Sequence, residues 1–316
     1  MVNKKGIIIK LIGGQYTVLD LETKEEIVCT AGGKLRFQKL DKHSSFQPKN
    51  NNIYSNKKST VFIKNSPKVG DYVYFNENNM IEEILERKNK MYRPDICNVD
   101  QIVLVFSAKR PDFNYALLDK FLVCVEKEKV EPIIVVTKID LLTPEELIEL
   151  KNNLSYYEKI NYKVLYISVK EKINLDNFDQ IFENKVSVLS GQSGVGKSSI
   201  MNYINPNLDL KTNEISDALN RGKHTTRHTE LFQFKNGMIA DTPGFGYIEF
   251  DFNECEELKN YFIDFKELEI ECKFRGCNHI NEPSCKVISE VENNNILKSR
   301  YENYKKFYLE IKDKFK

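Results

Sequence analysis

The stretch Val186-Ser187-Val188-Leu189-Ser190-Gly191-Gln192-Ser193-Gly194-Val195-Gly196-Lys197-Ser198 decides how this chain folds. Its first four residues form a short run of β-formers, closed by a glycine-rich turn, as a buried strand requires. Gly191-x-x-x-x-Gly196-Lys197-Ser198 follows, and Ser199 to Tyr203 continues with helical character. Strand, glycine loop and helix start are the context in which this motif cradles a polyphosphate. The glycines let backbone N–H groups turn inward around a β-phosphate, and the helix N-terminus adds a dipole that favours the anion. Lys197 is expected to neutralise β/γ-phosphate charge and the Ser198 hydroxyl to ligate Mg²⁺. The expected phosphate set is Gly191, Gln192, Ser193, Gly194, Val195, Gly196, Lys197, Ser198 and Ser199.

Upstream, the chain alternates between strand and helix patterns. Gln101–Phe106, Pro132–Val136 and Val164–Ile167 read as buried strands. Leu117 to Glu128 has helical periodicity, and Thr143-Pro144-Glu145-Glu146 is a capped helix start. Such alternation predicts a parallel, doubly wound α/β sheet. Thr137-Lys138-Ile139-Asp140 sits at the end of one strand. A carboxylate there accepts both hydrogens that guanine offers from N1 and N2; adenine has no such pair, which argues against an ATPase or kinase. The Lys138 stem can lie over the base plane. Ser168-Val169-Lys170, at another strand end, can complete the base pocket through the N–H of Val169 or Lys170. Downstream, Asp241-Thr242-Pro243-Gly244 follows the strand-like Met238-Ile239-Ala240. Asp241 can hold Mg²⁺ through water, and Gly244 can offer its N–H to a γ-phosphate. The expected ligands are therefore GTP or GDP with Mg²⁺.

These segments resemble the G1, G3, G4 and G5 elements of the translation-factor-type GTPases. The usual G4 is Asn-Lys-x-Asp; with Thr137 in place of Asn, the amide bridge between base and phosphate loop is expected to weaken. In ordinary GTPases the phosphate loop comes first. Here the base-reading elements (137–140, then 167–170) precede it and the 241–244 element comes last. That order identifies a circularly permuted GTPase. Permutation leaves everything after Gly244 as a C-terminal extension, to which movement on hydrolysis can pass.

Three domains are expected over the 316 residues: 1–87, 88–250 and 251–316. The first reads as β, with short strands at Ile7–Ile9, Tyr16–Leu19, Ile27–Cys29, Thr60–Ile63 and Asp71–Phe75, and an OB-fold barrel is the natural candidate. Between them, Lys39 to Ser59 reads as a long mobile loop, carrying Lys39, Lys42, Lys49, Lys57 and Lys58 with Lys58 near its end; it is either an RNA-contacting loop or an inert insertion. The third domain is expected to be helical, with a last helix at about Ile288 to Lys316. It contains Cys272-x₄-Cys277-x-His279-x₅-Cys285. Three thiolates and one imidazole suffice for a closed structural Zn²⁺ site, reduced thiols being the alternative. Net charge is +1, so nucleic-acid binding would have to come from local patches. No apolar stretch is long enough for a membrane span, and no targeting segment is evident; a cytoplasmic protein without membrane contact is expected.

Barrel, permuted GTPase and Cys₃His motif together resemble the ribosome small-subunit-dependent GTPase A family (RsgA, YjeQ or YloQ). The carriers are Arg93-Pro94, Asn98-Val99-Asp100-Gln101, Thr137–Asp140, Gly191–Ser198, Gly222-Lys223-His224-Thr225-Thr226-Arg227-His228, Asp241–Phe245 and Cys272–Cys285 with Glu282-Pro283 inside. The resemblance implies a GTPase that acts late in assembly of the 30S subunit, contacts 16S rRNA and is stimulated there. It implies that Gly222–His228 is switch I, with Thr226 (or Thr225) reaching Mg²⁺. Where many GTPases place a water-orienting Gln, this chain has Phe245, and the resemblance nominates His224 for that catalytic role. RNA contact is also expected from Lys273 and Arg275 beside the zinc motif. A monomer is expected.

Overall fold

The computed structural model describes residues 3–32, 35, 37–39, 53–56, 60–64, 66–91, 94–206, 229–241 and 250–315. These fall into two compact units, divided between Val99 and Asp100. Residues of the hairpin at 230–241 belong partly to each.

In the first unit, alternation of apolar and polar residues builds a barrel. Strands β1 (Lys4–Ile12) and β2 (Gln15–Asp20) are joined by Gly13-Gly14, whose φ values of 56° and 83° suit a two-residue hairpin turn. β3 (Glu26–Ala31) pairs with β2. β4 (Phe37–Lys39), β5 (Ile53–Asn56) and β6 (Thr60–Lys64) form their own three-stranded sheet in the order β4-β6-β5. β7 (Tyr72–Phe75) and β8 (Met80–Ile84) return to the barrel. Its order is β1-β2-β3-β8-β7, closed by β7 on β1, with β3 and β8 parallel. This is a five-stranded OB-type barrel. Ile8, Tyr16, Val18, Cys29, Val73, Phe75 and Ile81 fill it.

Two sequence expectations need correcting here. Thr60–Ile63 is a strand, but not one of the barrel; the fifth barrel strand is Met80–Ile84. Its Met-Ile-Glu-Glu-Ile pattern places only Ile81 fully in the core, so it carries little alternation. Within the expected loop 39–59, Ile53–Asn56 is a strand paired antiparallel with β6, as the β-formers Ile53 and Tyr54 favour. Lys42, Lys49, Lys57 and Lys58 lie outside the described residues.

The second unit is organised by β9 (Gln101–Ser107), buried at every position. β10 (Glu131–Thr137) and β12 (Val186–Ser190) flank it in parallel, and β11 (Lys163–Tyr166) pairs parallel with β10. The connecting helices are α1 (Tyr115–Glu128), α2 (Pro144–Lys159) and α3 (Leu175–Gln180), while α4 (Lys197–Ile204) follows β12. The expected cap is present: Thr143 and Glu146 form a reciprocal capping box with Pro144 at the first turn. β13 (Glu230–Phe234) and β14 (Gly237–Asp241) turn through Lys235 and Asn236, both at positive φ. Register sets the functional edge. Ser107 pairs with Thr137, Ser190 with Leu104, and Tyr166 with Val136. The carboxyl ends of the four parallel strands therefore share one edge, where open parallel sheets bind ligands.

The same unit contains the C-terminal helices: a 3₁₀ segment (Cys255–Tyr261), α5 (Ile263–Glu269), α6 (Lys286–Glu292) and α7 (Lys298–Asp313). Phe262, Phe265, Val287, Tyr304, Phe307 and Ile311 pack around a core that also includes Val123 of α1. The expected single helix from Ile288 to Lys316 is two helices. Asn294 takes a left-handed φ of 61° between them, and the Asn295 amide bonds back to Glu290. Left-handed Asn residues end helices in this way.

Candidate nucleotide site and Cys₃His centre

The phosphate loop leaves β12 at Gly191, which has φ 149°. A Cβ there would meet the Val105 carbonyl oxygen at 2.2 Å, so only glycine lets the loop turn this close to β9. At the far end Gly196 (φ 100°) opens α4, with Lys197 and Ser198 in its first turn. The Lys197 Nζ folds into the loop and donates to the carbonyls of Gly191 (2.6 Å) and Gln192. Burial pushes its ammonium down to about 8. A cation held at a site that desolvates it is suited to an incoming phosphate, whose charge offsets the burial cost.

The base-reading segment is tied to this loop by side chains. Thr137 is buried, and its hydroxyl lies 2.5 Å from the Val195 carbonyl and 3.2 Å from that of Phe106. The loop half of the bridge that an Asn would make is thus supplied by a hydroxyl, a point the weaker bridge expected from sequence did not foresee. Lys138, at a left-handed φ of 57°, donates from Nζ to the carbonyls of Gly194 (2.6 Å) and Arg110. Asp140 Oδ1 accepts from Ser168 Oγ at 2.5 Å, which joins the 137–140 and 168–170 segments. Ser168 and Ile173 exchange backbone hydrogen bonds, closing the turn that carries Val169 and Lys170. The structure therefore brings together Thr137, Lys138, Asp140, Ser168–Lys170 and Gly191–Ser199 at one sheet edge. Asp241 ends β14. Gly244, Phe245, His224, Thr225 and Thr226 lie outside the described residues.

The four expected zinc ligands converge. Their ligand atoms all lie within 4.8 Å of one another. Cys272 Sγ is 3.9 Å from Cys285 Sγ, and His279 Nδ1 is 3.7 Å from Cys272 Sγ and 3.3 Å from Cys285 Sγ. A tetrahedral Zn²⁺ with ordinary bond lengths would set S···S near ~3.8 Å and N···S near ~3.6 Å. The His279 side chain is fully buried, presents Nδ1 to the sulfurs, and leaves Nε2 without a hydrogen-bond partner among the described residues. The donor set fits a closed zinc site.

Groups to which the sequence reading gave no role hold this centre in place. Glu282 accepts from the amides of Asn278 (2.8 Å), Ile280 (2.8 Å) and Asn281 (3.0 Å). Burial would raise its carboxyl, but those amides outweigh it and hold it below its ordinary value. Tyr301 and Tyr304 of α7 donate to the carbonyls of His279 (2.8 Å) and Asn278 (2.5 Å). Deeper still, fully buried Arg300 joins Asp119 of α1 (2.5 Å) to Asp264 of α5 (3.0 Å). Tyr157 and Asn303 also donate to Asp119, and Tyr156 to Asp264. In the sequence Arg300 is one cation in a Lys-rich helix; the only signal was Asp119, a carboxylate inside the apolar repeat of α1.

The family profile described as RsgA GTPase matches residues 84–251. The small ribosomal subunit biogenesis GTPase RsgA of Bacillus subtilis (strain 168) is 43% identical over 315 residues, covering 98% of each chain. That of Onion yellows phytoplasma (strain OY-M) is 40% identical over 99% of each. Among solved structures, YloQ, a circularly permuted GTPase, aligns with a TM-score of 0.78 at 38% identity, over 99% of this chain and 96% of its own. YjeQ from Thermotoga maritima aligns with a TM-score of 0.77 at 34% identity, over 98% and 99%. With the barrel, the permuted motif order and the Cys₃His cluster on one chain, these matches show that the protein is a circularly permuted GTPase and belongs to the RsgA family.

Proposed function

We propose that this protein hydrolyses GTP while bound to the maturing 30S ribosomal subunit, late in its assembly. The observation that carries the proposal is the tie between base-reading and phosphate-binding segments: Thr137 on Val195, Lys138 on Gly194 and Asp140 on Ser168. On this reading Asp140 selects guanine, with Lys138 along the base and Val169 or Lys170 offering a backbone N–H. Gly191–Ser199 hold the phosphates, and Gly244 reaches the γ-phosphate. Mg²⁺ is held by Ser198, Thr226 and Asp241. His224 orients the attacking water.

The division of labour follows the three expected domains. Residues 1–87 bind rRNA as an OB barrel, 88–250 bind nucleotide, and 251–316 hold one structural Zn²⁺. Exposed Lys273 stands over the exposed Phe274 ring at 5.7 Å, beside Arg275, and supports a contact of the zinc region with 16S rRNA through charge and stacking. Among the described residues no helix is long and apolar enough to cross a membrane. A monomeric, cytoplasmic protein accords with this role. The test is GTP hydrolysis with and without purified 30S subunits, with ATP as competitor. Strong stimulation and no competition by ATP are expected. Equal affinity for ATP and GTP, or turnover indifferent to 30S subunits, overturns the proposal.

A further inference from the structure

We propose that the turn Ser107–Pro111 is a positioning element of the nucleotide site, with Ser107 acting through Lys138. The inference rests on the reading of Gly191–Ser199 and Thr137–Asp140 as that site. Ser107 ends β9 and is 1% exposed. Its hydroxyl donates to the Pro111 carbonyl at 2.5 Å, which closes the intervening residues into a tight turn. The Ala108 N–H donates to the Thr137 carbonyl at 2.9 Å, so the turn hangs on the residue just before Lys138.

Closed in this way, the turn presents the Arg110 carbonyl to Lys138. The lysine Nζ then has two backbone acceptors, Arg110 and Gly194. An ammonium has three donors and rotates freely about a single acceptor. A second acceptor on another segment fixes the head, and with it the stem that lies along the base. Pro111 packs on the other side of the contact: its Cδ is 3.6 Å from where a Cβ on Gly194 would sit. Lys109 bonds to Glu146 at 2.9 and 3.2 Å, and Glu146 in turn caps α2, the helix that follows Asp140. One turn thus braces the phosphate loop, the base-side lysine and the first turn of α2. Arg110 contributes through its carbonyl, so the hydroxyl of Ser107 is the part that a substitution can remove.

A double-mutant cycle on the full-length protein tests this, with a fluorescent GDP analogue as probe. Ser107→Ala is expected to weaken GDP binding by about three- to tenfold, the range one net hydrogen bond covers. Turnover at saturating GTP is expected to stay near wild type, because the phosphates still seat. On a Lys138→Ala background the same change is expected to cost less than about twofold, since residues acting through one another are non-additive. Ser107→Thr keeps the hydroxyl and is expected to restore affinity. Should Ser107→Ala fail to fold, Ser107→Cys, a weaker donor of similar size, enters the same cycle. Additive effects of the two substitutions, or an unchanged GDP affinity in Ser107→Ala, overturn the inference. If Lys138→Ala alone leaves affinity unchanged, it is the underlying site assignment that falls.

Discussion

Lys197 offers a test in which two readouts must move in opposite directions with pH. Burial holds its ammonium at about 8, well below the ordinary lysine value of 10.5. A bound polyphosphate adds negative charge beside Nζ and pulls that value back up. Nucleotide binding therefore selects the protonated form. Below pH 7 nearly all of the free protein is protonated, and affinity is flat. At pH 9 only about a tenth is, so GDP affinity is expected to fall about tenfold from pH 7 to pH 9, equivalent to about 1.4 kcal/mol. The stability of the nucleotide-free protein moves the other way. The folded-state value is depressed, so between about pH 8 and 10.5 the unfolded chain binds more protons, and stability rises with pH across that window. Guanine and phosphate ionisations act equally on any variant, so Lys197→Arg, which stays charged throughout, is the reference. The assay is equilibrium titration with fluorescent GDP from pH 7 to 9.5. Parallel pH profiles for the wild type and Lys197→Arg would refute the argument that a desolvated Lys197 receives the phosphates.

Three further outcomes are expected, the last resting on the family resemblance. Arg300→Ala leaves Asp119 and Asp264 buried without their cation and is expected to cost about 3–5 kcal/mol in urea unfolding; a loss below about 1 kcal/mol would show that the network is not a structural anchor. Elemental analysis is expected to find one zinc per chain, and Cys272→Ser to lower the thermal midpoint by about 10 °C, at about 2–4 °C per kcal/mol for a unit of this size; an unaltered midpoint with zinc absent would contradict the structural role. His224→Ala is expected to reduce 30S-stimulated turnover by about a hundredfold while leaving GTP affinity within about twofold; undiminished stimulated turnover removes His224 from the mechanism.

Much of the second unit is legible because its strands are buried on both faces. Gln101–Phe106 and Pro132–Val136 leave no competing period, and the motifs at their ends then fix which edge is functional. The barrel is harder. Met80–Ile84 carries two glutamates and one core residue, so nothing in its pattern separates a barrel strand from a surface turn. Thr60–Ile63 is readable as a strand, but its partner is not, since Asn- and Lys-rich neighbours do not specify register. The break at Asn293–Asn295 lies between two Lys- and Glu-bearing segments that read as one helix when the three asparagines are passed over. Thr137 shows the opposite case. Substituting Asn looks like a loss in one dimension, yet a hydroxyl next to the Val195 carbonyl makes the loop contact over 2.5 Å.

The position of Arg300 bears on how a nucleotide signal can travel. Permutation puts the Cys₃His region downstream of the Asp241–Gly244 element, which invites the idea that it swings when that element moves. The C-terminal helices, however, share a core with α1 and are pinned to it through Asp119. Coupling energies between sites are typically about 1–3 kcal/mol. Tearing a buried, hydrogen-bonded charge from its partners costs about 3–5 kcal/mol, before any loss of the packing of Phe262 and Tyr304 around it. The smaller energy cannot open the larger contact. On these energies the Cys₃His centre is expected to stay with α1. α1 begins at Asn114, which caps it a few residues past the Ser107–Pro111 turn beside the phosphate loop. A nucleotide-dependent movement that includes the C-terminal helices would therefore have to include α1 as well.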